Sequence, residues 1–201
     1  MTSTDRLAVC GVLALFAALV YVNTLGSPFV YDDYPTMMGN ASSAPAGDLH
    51  AIVTGDPARP MVSISYAFDR AVWGPGPFGF HLTSILLHVV NVVLFWQLAW
   101  SLTRNVRIAA AAASLFAVHP MMTEAVGHVS GRSEVLGATW LLAALWSAAR
   151  WIERRGVGWA IGTVGFWTAA AETSETAAMS SVLIVACDWL RRTRHDQVDR
   201  S

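Results

Sequence analysis

The stretch FGFHLTSILLHVVNVVLFWQLAWSL, Phe78 to Leu102, decides the fold. It contains no Asp, Glu, Lys or Arg, and crossing a bilayer takes about 20 predominantly apolar residues. Its polar residues His81, Ser84, His88 and Asn91 are spaced three, four and three apart. That spacing places them on one stripe of a helix. The segment reads as a membrane span with a polar line along one side.

Outward from this span, further apolar runs set the architecture. Leu7 to Leu25 and Val135 to Ile152 are of spanning length. Ile108 to Val118 is short and Ala-rich, and reaches spanning length only by running on through His119 to Met122. Trp159 to Leu190 is long enough for a pair of spans turning near Glu172 to Glu175. The expectation is an all-α integral membrane protein with about six transmembrane helices in one membrane domain, residues 1–201. Composition agrees: 54% of the chain is hydrophobic and 13% charged, about half the charge of a soluble domain. A net charge of −1 gives no basis for a nucleic-acid partner.

Arginine placement orients the bundle, since cytoplasmic loops collect basic residues. With the N-terminus inside, 10 of the 13 arginines fall on the cytoplasmic side and 9 of the 14 acids on the other. Both termini are then cytoplasmic, with residues 191–201 as a cytoplasmic tail. The first run has one arginine before it and no small-x-small site before Gly26, which favours an uncleaved span over a signal peptide. Cys10 and Cys187 fall in spans, and no disulfide is expected.

Two outer segments follow from this topology. Residues 26–77 form a first extracytoplasmic loop, in which MVSISYAFDRAVW (Met61 to Trp73) suits an interfacial amphipathic helix. Residues 119–134, HPMMTEAVGHVSGRSE, form a second. Asp32, Asp33, Arg59, His81, His88, Asn91, His119, Glu124, Arg132 and Glu134 all gather toward this one face. Each has a plain reading as well. The stripe can be interhelical hydrogen bonding, and His119-Pro120 can simply end the third span. Arg132 with Glu134 can be an exposed ion pair of small value, and Asp32-Asp33 can be loop solvation. His81, His88, His119 and His128 with the carboxylates raise a divalent cation as a possible cofactor, although no element carries a short ligand spacing.

In order along the chain stand N-x-L-x-x-x-F-V-Y-D-D (Asn23 to Asp33), R-P (Arg59-Pro60) and G-F-H-L-x-x-x-L-L-H-x-x-N (Gly79 to Asn91). L-F-A-V-H-P-x-x-T-E-A-V (Leu115 to Val126) and G-R-S-E-x-L (Gly131 to Leu136) complete the series. Together they resemble the N-terminal part of the membrane module of the transmembrane and tetratricopeptide-repeat O-mannosyltransferase family. The resemblance implies a GT-C fold and transfer of a sugar from a polyprenyl-phosphate carrier to an extracytoplasmic acceptor hydroxyl, on protein or lipid. It implies Asp32 as the base, with Asp33 beside it as orienter or second contact. Arg59 and Arg132 would meet the phosphate, and His81, His88, Asn91, His119, Glu124 and Glu134 would shape the pocket.

Two departures stand against that pattern. The family carries a lysine near the turn into the sixth span; here Thr173 to Ala177 reads TSETA, with Ser174 in its place, and the chain has no lysine. Family modules also continue for several more spans. A fragment, one half of a module completed by a second membrane chain, and an inactive copy are the readings this leaves. The functional expectation is therefore a glycosyltransferase module, with a non-catalytic remnant or binding subunit as the alternative. A small transporter is a third class, disfavoured by the lack of broken inverted-repeat helices.

Overall fold

The computed structural model describes residues 3–34 and 49–174, and every regular element among them is helical. Helix α1 (Ser3–Tyr21) continues into a 3-10 turn, Val22–Gly26. After α2 (Leu49–Gly55) comes α3 (Pro60–Trp73), with proline in its first turn, where the missing N–H costs nothing. The long α4 (Pro77–Thr103) contains the opening stretch. Then follow α5 (Val106–Ala117), α6 (Pro120–Gly127), α7 (Arg132–Arg154) and α8 (Val157–Ala171).

Helix α4 is the axis, packing on α1, α3, α5, α6 and α7. Along α5, Ala109, Ala113 and Ala117 are fully buried against Leu13 and Ala17 of α1 and Val92 and Trp96 of α4. Small side chains at four-residue spacing let helix backbones approach closely where lipid offers no hydrophobic drive. The outside is apolar instead: Leu7, Val12, Leu15 and Leu19 of α1 and Val157, Ile161 and Val164 of α8 are exposed. An exterior this apolar belongs in a bilayer, and the chain is an all-α membrane protein.

The described residues account for part of the six crossings expected from the sequence. Among the described residues three helices, Asp5–Gly26, Pro77–Thr103 and Arg132–Arg154, are long and apolar enough to cross. The third expected crossing is not continuous. Helices α5 and α6 are bent by 55° at His119-Pro120 and make at most one broken span. Proline cannot continue a helix begun before it, and the His119 ring Nδ1 accepts from the Met121 N–H to start the next one. Helix α8, the fifth, has 15 residues, about 22 Å at 1.5 Å per residue and short of a bilayer core. The sixth crossing, Cys187 and the tail 191–201 lie outside the described residues, as do 35–48 of the first loop.

Candidate functional site

The loop after α1 and the turn before α7 meet where the C-terminal end of α1 and the N-terminal ends of α4 and α7 come together. Asp33 is fully buried there. One carboxylate oxygen accepts the N–H of Val30 at 3.0 Å, and the other accepts the N–H of Ser130 at 2.8 Å. Hydrogen bonds from backbone N–H groups to a carboxylate are charge-assisted and roughly twice as strong as neutral ones. Asp33 thereby ties the loop after α1 to the turn before α7. Tyr31, at φ 44, takes the left-handed conformation that makes this turn possible, a state uncommon for a bulky residue. Asp32, between them, is exposed.

Gly131 closes the opposing turn. A Cβ there would lie 2.6 Å from the carbonyl oxygen of Ala125, so only glycine lets α6 and α7 approach as they do.

Arg132 is fully buried, with no exposed side-chain surface. Its Nη2 donates to Asp69 Oδ2 and to the Phe80 carbonyl, both at 2.7 Å. Its Nε donates to Ser84 Oγ at 3.2 Å, and Nη1 reaches Ser65 Oγ at 3.5 Å. The guanidinium carbon lies 5.3 Å from the Tyr66 ring centre. Tyr66 in turn donates to the Val129 carbonyl at 2.7 Å, and Thr83 donates to the other Asp69 oxygen at 2.6 Å. Helices α3, α4 and α7 are thus joined through one arginine. Burial raises the Asp69 carboxyl, while the Arg132 charge and the two donated hydrogen bonds lower it. Burial also raises the Tyr66 phenol well beyond its ordinary range, with Arg132 pulling the other way, so Tyr66 remains a donor.

The stripe on α4 faces the bundle interior, and His81, Ser84, His88 and Asn91 are all buried. Three of them make interhelical hydrogen bonds. Ser84 receives Arg132, His88 Nε2 donates to the Ala117 carbonyl at 3.1 Å, and Asn91 donates to the Val135 carbonyl at 2.9 Å. The Tyr21 ring meets His88 edge-on at 5.1 Å. His81 differs, since neither of its ring nitrogens makes a well-formed hydrogen bond, although the Ser27 backbone lies beside the ring. It lies within the electrostatic reach of Asp33, Arg132 and His128.

Other expected site residues stand apart. Glu134 is exposed and accepts from the neighbouring Ser133 hydroxyl at 2.8 Å, so the exposed Arg132–Glu134 pair does not form. Arg132 selects Asp69 because its side chain points into the bundle while that of Glu134 points out. Arg59 is exposed at the head of α3, and Glu124 and His119 are exposed on and before α6. Neither Arg59 nor Glu124 has a hydrogen bond or ion pair to the buried cluster. Among the described residues no group of three or more His, Cys, Asp and Glu side chains could hold a metal ion. Of the six histidines, two lie within α4 and two at the ends of α6.

Sequence reading missed Asp69, Tyr66 and Ser65. Their spacing on α3 was a usable signal. Ser65 and Asp69 stand four apart, and with Tyr66 they face one side of an otherwise mixed helix.

No family model matches the chain, and no solved structure matches it. Similarity appears to named proteins instead. The chain is 31% identical to protein O-mannosyl-transferase Tmtc1 of Drosophila melanogaster, over 96% of this chain and 24% of that protein. With Tmtc2 of the same species it shares 30% identity over 92% of this chain and 22% of the relative. With human TMTC1 the identity is 32%, over 76% of this chain and 19% of the relative. The chain spans about a quarter or less of the length of these curated relatives.

Proposed function

We propose, for a chain that belongs to the family of protein O-mannosyl-transferases typified by TMTC1 and TMTC2, that it forms the N-terminal part of a GT-C membrane module transferring a sugar from a polyprenyl-phosphate carrier to a protein hydroxyl. Residues 26–77 and 119–134 face the extracytoplasmic side, and residues 191–201 the cytoplasm. The observation that carries the reading is the exposed carboxylate of Asp32 on a turn fixed by its buried neighbour Asp33.

The chemistry follows from that placement. A hydroxyl is a poor nucleophile at neutral pH, and a positioned carboxylate that accepts its proton is a general-base solution. Asp32 takes the acceptor proton while the acceptor oxygen bonds to the anomeric carbon. The bond from that carbon to the phosphate oxygen breaks, and its electron pair leaves with polyprenyl phosphate. Such a single displacement inverts the anomeric centre. Asp33 is the positioning residue, since it holds the turn and both its oxygens already have backbone donors. Arg59, exposed at the head of α3, is the arginine assigned to the leaving phosphate, a role suited to a forked guanidinium. Within the stripe, the two ring nitrogens of His81, His88 Nδ1 and Asn91 Oδ1 are the atoms with hydrogen-bonding capacity left for a substrate.

Asp32→Asn in the full-length protein, assayed with a mannosyl polyprenyl-phosphate donor, is expected to lose about 10²-fold or more of transfer, as general bases do. Expression and thermal unfolding should not change. Undiminished transfer would sink the assignment. One observation favours the alternative of a non-catalytic remnant: Arg132, expected on the phosphate, is committed to Asp69 and Phe80. That alternative predicts no transfer by the unmodified protein.

A further inference from the structure

The opposite end of the bundle holds a second site. A cavity of about 520 Å³ opens between the first turns of α1 and the last turns of α4 and α7. Arg6, Arg104 and Arg150 line it, together with Trp96, Trp100 and Trp146, and Glu153 is the one acid in the lining. The Arg6 guanidinium lies 4.3 Å from the Trp100 ring centre, and that of Arg150 lies 5.4 Å from the Trp146 ring centre. Glu153 is shared, 3.3 Å from Arg104 and 3.5 Å from Arg150. Three guanidiniums against one carboxylate leave two positive charges in surplus.

Arginines at this end have a plain explanation, because the C-termini of α4 and α7 are here and helix C-termini attract cations. That explanation does not require three arginines to converge on one cavity. It also leaves the indole N–H of Trp96 unexplained. Trp96 lines the cavity, is 2% exposed, and its Nε1 has no partner. A buried donor of this kind costs free energy unless something accepts from it.

We propose that this cavity binds the phosphate head group of an anionic glycerophospholipid. Guanidiniums aligned on aromatic rings and an unfilled N–H donor suit a phosphate diester. Basic pockets between spans at the cytoplasmic face recognise anionic head groups by the same chemistry. A lipid fits better than a free ion. Leu7 lines the cavity and is 72% exposed, so the cavity opens beside the apolar outer face of α1, where Val12, Leu15 and Leu19 can receive acyl chains. The site is independent of the proposed transfer site. Arg104 lies 23 residues along α4 from His81, about 35 Å at helical rise.

The test is native mass spectrometry of the full chain released from mixed micelles of phosphatidylglycerol and phosphatidylcholine, with thermal unfolding in each lipid alone. One retained phosphatidylglycerol is expected, favoured over phosphatidylcholine by roughly tenfold or more, the worth of two surplus arginines at a membrane surface. In Arg6→Gln/Arg150→Gln the preference should fall to parity while thermal unfolding in phosphatidylcholine stays unchanged. Trp96→Phe should weaken retention without abolishing it. Equal retention of both lipids, or undiminished phosphatidylglycerol retention in the double variant, would overturn the proposal. Stabilisation by inorganic phosphate equal to that by phosphatidylglycerol would overturn it as well. The two-lipid comparison needs no variant, so a misfolded double variant does not rescue the idea.

Discussion

Arg132 and Asp69 show how one residue can acquire a role that its place in a motif does not suggest. Arg132 stands in a G-R-S-E sequence whose family resemblance points to phosphate contact, yet all its described hydrogen bonds are internal. Arg132→Met strands a buried carboxylate, and losses of this kind run to about 3–5 kcal/mol. The pH dependence has a definite sign. Without the guanidinium, burial raises the Asp69 carboxyl further above its unfolded value. A carboxyl raised in the folded state favours folding at low pH and loses that contribution as pH rises through its folded value. The destabilisation of Arg132→Met should therefore be larger at pH 7.5 than at pH 5, as read by thermal unfolding in detergent. Arg132→Met with Asp69→Leu should recover most of the loss, because replacing both members of a buried pair is often neutral or better. A double variant no more stable than the single would show that the cluster depends on Arg132 through Ser84 and Phe80 rather than through charge.

At the scale of elements, the turns are as informative as the helices. The α6–α7 turn carries the Ser130 N–H that holds Asp33, and Gly131 makes its close approach possible. Gly131→Ala forces that backbone apart and should lower transfer more than Asp33-independent properties such as expression, as compared by activity per folded molecule. Filling the small-residue face acts differently. Ala113→Leu pushes α5 from α1 and α4 and should cost about 1–3 kcal/mol as overpacking, with any remaining folded protein keeping its Asp32 turn. The long elements were legible because apolar length and the spacing of His81, Ser84, His88 and Asn91 are properties of one segment. The break at His119-Pro120 was legible as an option, but its 55° bend depends on how α6 seats against α1 and α7. The Asp33–Ser130 and Arg132–Asp69 contacts join residues 97 and 63 apart in sequence, and no local pattern specifies which distant group a buried charge will choose.

The described residues are polarised along the bundle axis. One end holds Asp32, Asp33, His81, Arg132 and Glu134, and the other holds Arg6, Arg104, Arg150, Arg154 and Arg155, where α4 and α7 both end. Basic residues concentrate on the cytoplasmic side of spans, so the arginine-rich end should face the cytoplasm and the acidic turn should face outward. Cysteine accessibility decides this directly. With Cys10 and Cys187 changed to alanine, Glu134→Cys and Arg154→Cys each place one thiol at an exposed end of α7. In intact cells or sealed vesicles of right-side-out orientation, a membrane-impermeant maleimide should label position 134 and leave position 154 unlabelled until the membrane is opened. Helix α7 has 23 residues, about 34 Å at helical rise, so a crossing helix must separate the two positions. Reversed labelling would put the acidic turn in the cytoplasm and exclude it from extracytoplasmic transfer. Labelling of both positions before permeabilisation would show that α7 does not cross at all.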